Sequence, residues 1–288
     1  MQWLGLTPFA EASARHSPLG SRAVSNKCKS RGNPAGVAWQ LSYANVTSMG
    51  VGDNGYTAEI KFLVNEATGI QIREWARERL VADPHGTGPH ADEYRVSTLY
   101  LDTAERDVFH RRGSYGRSKY RVRRYGDEAR VFLERKLRTS ARLAKRRTDI
   151  PLDALGLLKT AEIDDRQTKW FRRRVLVRQL HPVCRVSYLR TARLAETPEG
   201  RMRMTLDYSL TASPADSFSL DGPGPAPFLN GHMILELKFR GAMPTVFRQL
   251  ADTFALAPGR TSKYRTAADI LGIARLAPEE GAPYTLHA

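Results

Sequence analysis

The run Arg117–Arg138, RSKYRVRRYGDEARVFLERKLR, decides the fold. Side chains on a strand point alternately to opposite faces. In Arg117–Tyr125 one face carries Arg117, Lys119, Arg121 and Arg123, and the other carries Ser118, Tyr120, Val122 and Arg124. In Arg130–Arg138, Phe132, Glu134, Lys136 and Arg138 oppose Val131, Leu133, Arg135 and Leu137. A period of two on both sides of the turn-like YGDEA predicts two successive strands.

Working outward, the alternation recurs. Arg201, Arg203, Thr205 and Asp207 oppose Met202, Met204, Leu206 and Tyr208; His232, Ile234, Glu236 and Lys238 oppose Met233, Leu235, Leu237 and Phe239. Strands are also predicted at Tyr56–Val64, Glu93–Asp102, Arg142–Ile150 and Val183–Leu194. Helices are predicted at Glu66–Val81, Thr103–Arg111 (after an Asp102–Thr103 capping signal), Asp153–Lys159, Asp165–Arg178, Pro244–Leu256 and Thr266–Arg275. Residues 211–231, rich in Pro, Gly and Ser, read as a long loop. Seven or eight strands with helices between them make an antiparallel α+β protein. Each charged face has two readings: a solvated face of a one-sided sheet, or the lining of a closed tunnel with its apolar faces turned outward to the helices.

The 288 residues hold 45 Lys+Arg against 30 Asp+Glu, a formal charge of +15, which calls for a polyanionic partner. The first 50 residues lack periodicity and read as a disordered or mis-started extension supplying four of those charges. A folded domain is expected over 51–277 and a tail over 278–288. No apolar run reaches 18 residues, so no transmembrane segment is expected. Cys28 and Cys184 stand far apart, which excludes a disulfide framework and suggests a reducing, cytoplasmic setting.

No HExxH, GxSxG, GxxxxGK[ST] or GxGxxG element occurs, which argues against a histidine-held zinc, a serine elbow, a P-loop and a dinucleotide site. Nucleic-acid binding would call for basic residues on a convex surface, which alternation does not suggest, so no nucleic-acid partner is expected. Phosphate chemistry by electrostatics remains: cations around phosphoryl oxygens and a divalent metal. Two glutamates stand among the cations, Glu134 in FLERK and Glu236 in ILELK, each with a Lys two residues on, on the same strand face. Mg²⁺ and Mn²⁺ take carboxylates together with substrate phosphates.

At these residues the sequence resembles the VTC domain, the polyphosphate polymerase domain of the CYTH/triphosphate tunnel metalloenzyme superfamily. The matching elements are EIK at Glu59–Lys61, KYRVR at Lys119–Arg123, FLERK at Phe132–Lys136, AKRR at Ala144–Arg147, SYLR at Ser187–Arg190, RMTLD at Arg203–Asp207, ILELK at Ile234–Lys238 and SKY at Ser262–Tyr264. The resemblance implies an eight-stranded antiparallel β-barrel, basic inside, with helices packed on the outside. It implies binding of ATP or another triphosphate, or of inorganic polyphosphate, with Mn²⁺ or Mg²⁺, and transfer of the ATP γ-phosphate onto a growing chain. By the same resemblance Lys61, Arg121, Arg123, Lys145 and Arg260 bind substrate, and Lys136, Arg190, Arg203 and Lys263 act in catalysis. Glu236 matches the metal-binding glutamate, and Glu134 is a secondary metal ligand or the partner orienting a lysine. The first strand reads Glu-Ile-Lys rather than the wider superfamily's ExExK, and Arg260 replaces a lysine expected three residues before Lys263. A tunnel triphosphatase and a non-catalytic polyphosphate-binding module use the same residues and stay open.

Overall fold

Alternation in the sequence becomes pairing in space. The structure, a computed structural model, describes residues 58–138, 143–159, 168–198, 200–222 and 225–273; the expected extension over 1–50, the tail over 278–288 and Cys28 lie outside them. Its strands are β1 (Ala58–Asn65), β2 (Val81–Ala82), β3 (Glu93–Asp102), β4 (Ser118–Tyr125), β5 (Arg130–Arg138), β6 (Leu143–Pro151), β7 (His181–Thr197), β8 (Gly200–Pro214), β9 (Ala226–Pro227) and β10 (His232–Phe239). The helices are α1 (Glu66–Arg79), α2 (Asp107–His110), α3 (Lys169–Val177), α4 (Thr245–Thr253) and α5 (Lys263–Ile270), with 3₁₀ turns at Gly113–Arg117 and Asp153–Lys159.

Eight strands form one antiparallel sheet in the order β1-β10-β8-β7-β3-β4-β5-β6, and the short β2 and β9 pair with β7 and β8. The expected α+β architecture is present, but among the described residues β1 and β6 do not pair, so backbone hydrogen bonds do not close the barrel. Instead Lys136 on β5 reaches across the lumen to Glu59 on β1, 3.4 Å away. The outer edge of β1 is covered by the segment before α5: Gly259 N–H donates to the Lys61 carbonyl at 2.8 Å, and Phe62 bridges Pro258. A covered edge presents no template for another chain's strand.

The apolar faces point outward. On β10 the buried Met233, Leu235, Leu237 and Phe239 lie under α1 and α4. Asn65 caps α1 by accepting the Thr68 N–H at 2.8 Å. Gly69 lets that helix approach closely, since a Cβ there would meet Met233 Sδ at 2.4 Å. On the other side Phe171 of α3 packs edge-on against Tyr120 of β4. Helix α5 instead closes one end of the curl: its Tyr264 stacks on Tyr100 at 5.1 Å, a residue that also lines the lumen.

Three boundaries differ from expectation. Helix α2 starts only at Asp107, because Arg106 holds a left-handed conformation (φ 59). Strand β8 runs to Pro214, and β9 pairs with it inside the predicted loop. Helix α5 begins three residues early, at Lys263, because the Ser262 side chain caps it. Cys184 is buried, which pushes its thiol up to about 12 and leaves it unreactive. Among the described residues no helix is long and apolar enough to cross a membrane.

Candidate functional site

Pairing brings the charged faces together inside the curl. The register sets Lys61 opposite Glu236 and Glu59 opposite Lys238 on β1 and β10, Lys238 opposite Arg203 on β8, and Arg121 opposite Glu134 on β4 and β5. The lumen is a cavity of about 400 Å³ lined by twelve Lys and Arg side chains against four carboxylates. With Glu134 and Asp207 counted beneath them the cations still outnumber the carboxylates, an excess suited to a polyanion rather than to a self-neutralised core.

Five buried carboxylates, Glu236, Glu59, Glu134, Asp207 and Asp83, organise these cations. Glu236 accepts Lys61 at 3.2 Å and Lys238 at 2.8 Å, while Glu59 takes Lys61 at 3.0 Å and Lys136 at 3.4 Å. Burial pushes the Glu236 carboxyl up, but Lys238, Lys61, Arg190 and Lys136 outweigh it and hold the group well below the usual range. Burial and the neighbouring Glu236 likewise oppose ionisation of Glu59, yet Lys61, Lys136 and Lys238 bring it to about 2. Glu134, 1% exposed, accepts Arg121 Nε at 2.6 Å and Arg147 Nε at 2.7 Å, with Lys145 at 3.7 Å and Arg123 at 4.0 Å. Asp207 accepts a two-pronged contact from Arg190, 2.6 and 2.8 Å, and the Lys263 ammonium at 2.5 Å. Arg203 bonds Asp83 at 2.7 Å and the Tyr94 hydroxyl at 2.9 Å.

Lys119 differs from its neighbours. Its ammonium donates to Ser262 Oγ at 3.0 Å. Burial, then Lys61, Lys136, Arg121 and Arg111, lower it to about 7. It stands where the lumen joins a second cavity of about 690 Å³, lined by Arg111, Arg117, Arg138, Arg260 and Arg265 among others.

Of the residues singled out from sequence, Lys61, Arg121, Arg123, Lys136, Lys145, Arg190, Arg203, Lys263 and Glu236 all line the lumen. Arg260 lines the second cavity instead. Glu134 lies beneath four cations, an arrangement that favours the orienting reading over the metal-ligand one. Sequence reasoning passed over Glu59, Asp207, Lys119 and Arg147, although each sits in a quoted motif on the inward register. Adding cross-strand neighbours to the alternation was the missing signal.

The donor set fits a divalent metal at Glu59 and Glu236. Two ionised carboxylates on adjacent strands converge on one ammonium, Lys61, and Mg²⁺-type ions are held by one or two carboxylates plus substrate phosphates. Among the described residues no group of three or more His, Cys, Asp or Glu assembles, so phosphate oxygens would complete the coordination.

No curated protein sequence matches the chain. Among solved structures, a candidate adenylate cyclase from Bacillus halodurans is 16% identical, with a TM-score of 0.46 over 71% of this chain and 92% of that one. A candidate adenylyl cyclase from Hippeastrum, described as having a dominant triphosphatase activity, is 16% identical, with a TM-score of 0.42 over 78% and 99%. The PH1819 protein of Pyrococcus horikoshii is 13% identical, with a TM-score of 0.41 over 74% and 99%. The sequence profile of the VTC domain matches residues 57–271. That span takes in the whole of the curled sheet and the helix that closes it, and the chain therefore belongs to the VTC domain family.

Proposed function

We propose that the protein synthesises inorganic polyphosphate from the γ-phosphate of ATP in a reaction that depends on Mn²⁺ or Mg²⁺. The supporting observation is the second cavity: it borders the lumen, shares Lys61, Lys119 and Lys136 with it, and adds Arg111, Arg117, Arg138, Arg260 and Arg265. A hydrolase needs no such extension, whereas a growing polyanion does.

Arg190, Arg203, Lys136 and Lys263 stabilise the charge that develops on the transferred phosphoryl group. Lys61, Arg121, Arg123 and Lys145 hold the triphosphate in line, and Arg260 receives the chain beyond it. A terminal oxygen of the chain bonds to the γ-phosphorus, the bond from that phosphorus to the β–γ bridging oxygen breaks, and ADP departs. Such a transfer is governed by positioning and electrostatics. Bound at Glu236 and Glu59, a divalent metal would neutralise phosphate charge. Asp207 keeps Arg190 and Lys263 a fixed distance apart, and Glu134 does the same for Arg121 and Arg147.

Incubation with ATP and Mn²⁺ or Mg²⁺, with products resolved by chain length, tests the proposal. Long-chain polyphosphate is expected. Release of free phosphate alone would make the protein a triphosphatase, and tight polyphosphate binding without turnover would make it a binding module; either overturns the proposal.

A further inference from the structure

Glu236 has two cross-strand neighbours, and they are chemically unlike: on β1 it faces Lys61, and on β8 it faces Thr205. The lysines serve its charge. Lys61 reaches one carboxylate oxygen at 3.2 Å, and Lys238 reaches the other at 2.8 Å. Thr205 takes no part in this. Side chains alternate along β8, so it shares the inward face with Arg203 and Asp207. It is 1% exposed, and its buried hydroxyl has no hydrogen-bond partner. An unpaired buried hydroxyl is costly, and a valine of the same shape would remove that cost. A second orphan, the Thr191 hydroxyl on β7, is turned the other way by the same alternation and stands opposite Leu206.

Charge gives an idle neutral donor a use at this place. A divalent cation on Glu236 repels the ammonium groups of Lys61 and Lys238, so the carboxylate loses its donors as it gains the ion. Carboxylates that ligate metals are themselves held by hydrogen bonds. A hydroxyl supplies such a bond without meeting the repulsion that a lysine meets. Opposite residues of an antiparallel pair lie about 5 Å apart at Cα, which puts a hydroxyl on one within reach of a carboxylate on the other.

We infer that Thr205 is a positioning residue for the divalent metal: its hydroxyl donates to Glu236 once the lysines are displaced, and so fixes the carboxylate that carries the ion. The inference rests on the proposed reading that the metal binds at Glu236 and Glu59. It gives the two neighbours of Glu236 alternate duties, Lys61 holding the carboxylate before the ion arrives and Thr205 holding it afterwards.

The test titrates Mn²⁺ into the full chain with tripolyphosphate present, reading free Mn²⁺ by electron paramagnetic resonance against tripolyphosphate alone. Thr205→Val is expected to weaken Mn²⁺ binding about tenfold, the low end for losing the partner of a metal ligand. Thr205→Ser, which keeps the hydroxyl, is expected to bind the ion as the wild type does, and so is Thr191→Val. Without metal, Thr205→Val is expected to melt no lower than the wild type, because no hydrogen bond is lost. Unchanged Mn²⁺ affinity in Thr205→Val overturns the role of Thr205. A drop in that variant's metal-free melting temperature overturns it as well, since the hydroxyl would then have a partner before the ion arrives. An equal loss of affinity in Thr191→Val does the same, because deleting any buried hydroxyl would then suffice. A wild type that holds Mn²⁺ no better than tripolyphosphate does overturns instead the metal site at Glu236 and Glu59.

Discussion

Glu134 and Glu236 occupy the same local motif, a glutamate two residues before a lysine on an inward strand face. Their surroundings separate them. Four cations enclose Glu134, while Glu236 shares Lys61 with a second carboxylate, Glu59. Replacing Glu134 by Gln leaves the cations around it uncompensated. Removing one partner of a buried ion pair costs on the order of 3 kcal/mol, so urea denaturation is expected to show that loss, with tripolyphosphate restoring part of it. Glu236→Gln leaves Glu59 as a counter-charge to Lys61 and Lys238, so it is expected to cost less stability than Glu134→Gln and to lose Mn²⁺-dependent turnover by at least 10²-fold, the scale of one electrostatic contact to a transition state. The opposite assignment of defects would exchange the two roles. Lys119 gives a pH-dependent prediction. With its amine lowered to about 7, it is charged below that value and increasingly neutral above it. Phosphate binding favours the charged form, so binding at pH 8 takes up a proton and binding at pH 6 does not. Calorimetry in buffers of different ionisation enthalpy reads that uptake, and Lys119→Met is expected to abolish it. Uptake that persists in the variant would assign the proton elsewhere.

Among the elements, the strands were legible because their period of two survives in sequence whatever they pair with. The predicted Arg130–Arg138 and His232–Phe239 match β5 and β10 end to end. Boundaries that depend on distant partners were not legible. Nothing near Ser213 announces that β8 continues to Pro214; its pairing with β7, and with β9 at Thr211 and Ala212, carries it there. The start of α5 is similar, since Ser262 caps it while also accepting from Lys119 on β4. The predicted capping signal at Asp102 had a different outcome. Its carboxylate accepts the N–H groups of Thr103, Val108 and Phe109, and the Tyr264 hydroxyl donates to it from α5. Asp102 thus fastens α5, and with it Lys263, to the end of β3. Tyr264→Phe deletes one buried hydrogen bond and is expected to cost about 1 kcal/mol in stability. It is also expected to lower kcat more than it raises KM, because Lys263 loses its fixed approach to Asp207. A stability loss with kcat unchanged would mean that the contact serves folding alone.

Across the whole molecule, alternation left open whether the charged faces met solvent or each other. The order of strands decides this, since it curls β1 and β5 until Glu59 and Lys136 touch. The +15 charge of the chain is therefore concentrated in part within a passage. Backbone pairing leaves β1 and β6 apart, so a bound polyanion would bridge cations from both sides of the lumen. At 100 times its dissociation constant, tripolyphosphate is expected to stabilise the protein by about 2.7 kcal/mol, seen as a rise in Tm. Salt is expected to weaken it less than a surface contact, because buried pairs are poorly screened. The account is tested most directly by anomalous diffraction from crystals of the protein soaked with Mn²⁺ and a non-hydrolysable ATP analogue. It predicts a manganese peak beside Glu236 and Glu59, with phosphates running toward Lys119 and the arginine-lined chamber. A peak at Glu134, or nucleotide bound only outside the lumen, would contradict it.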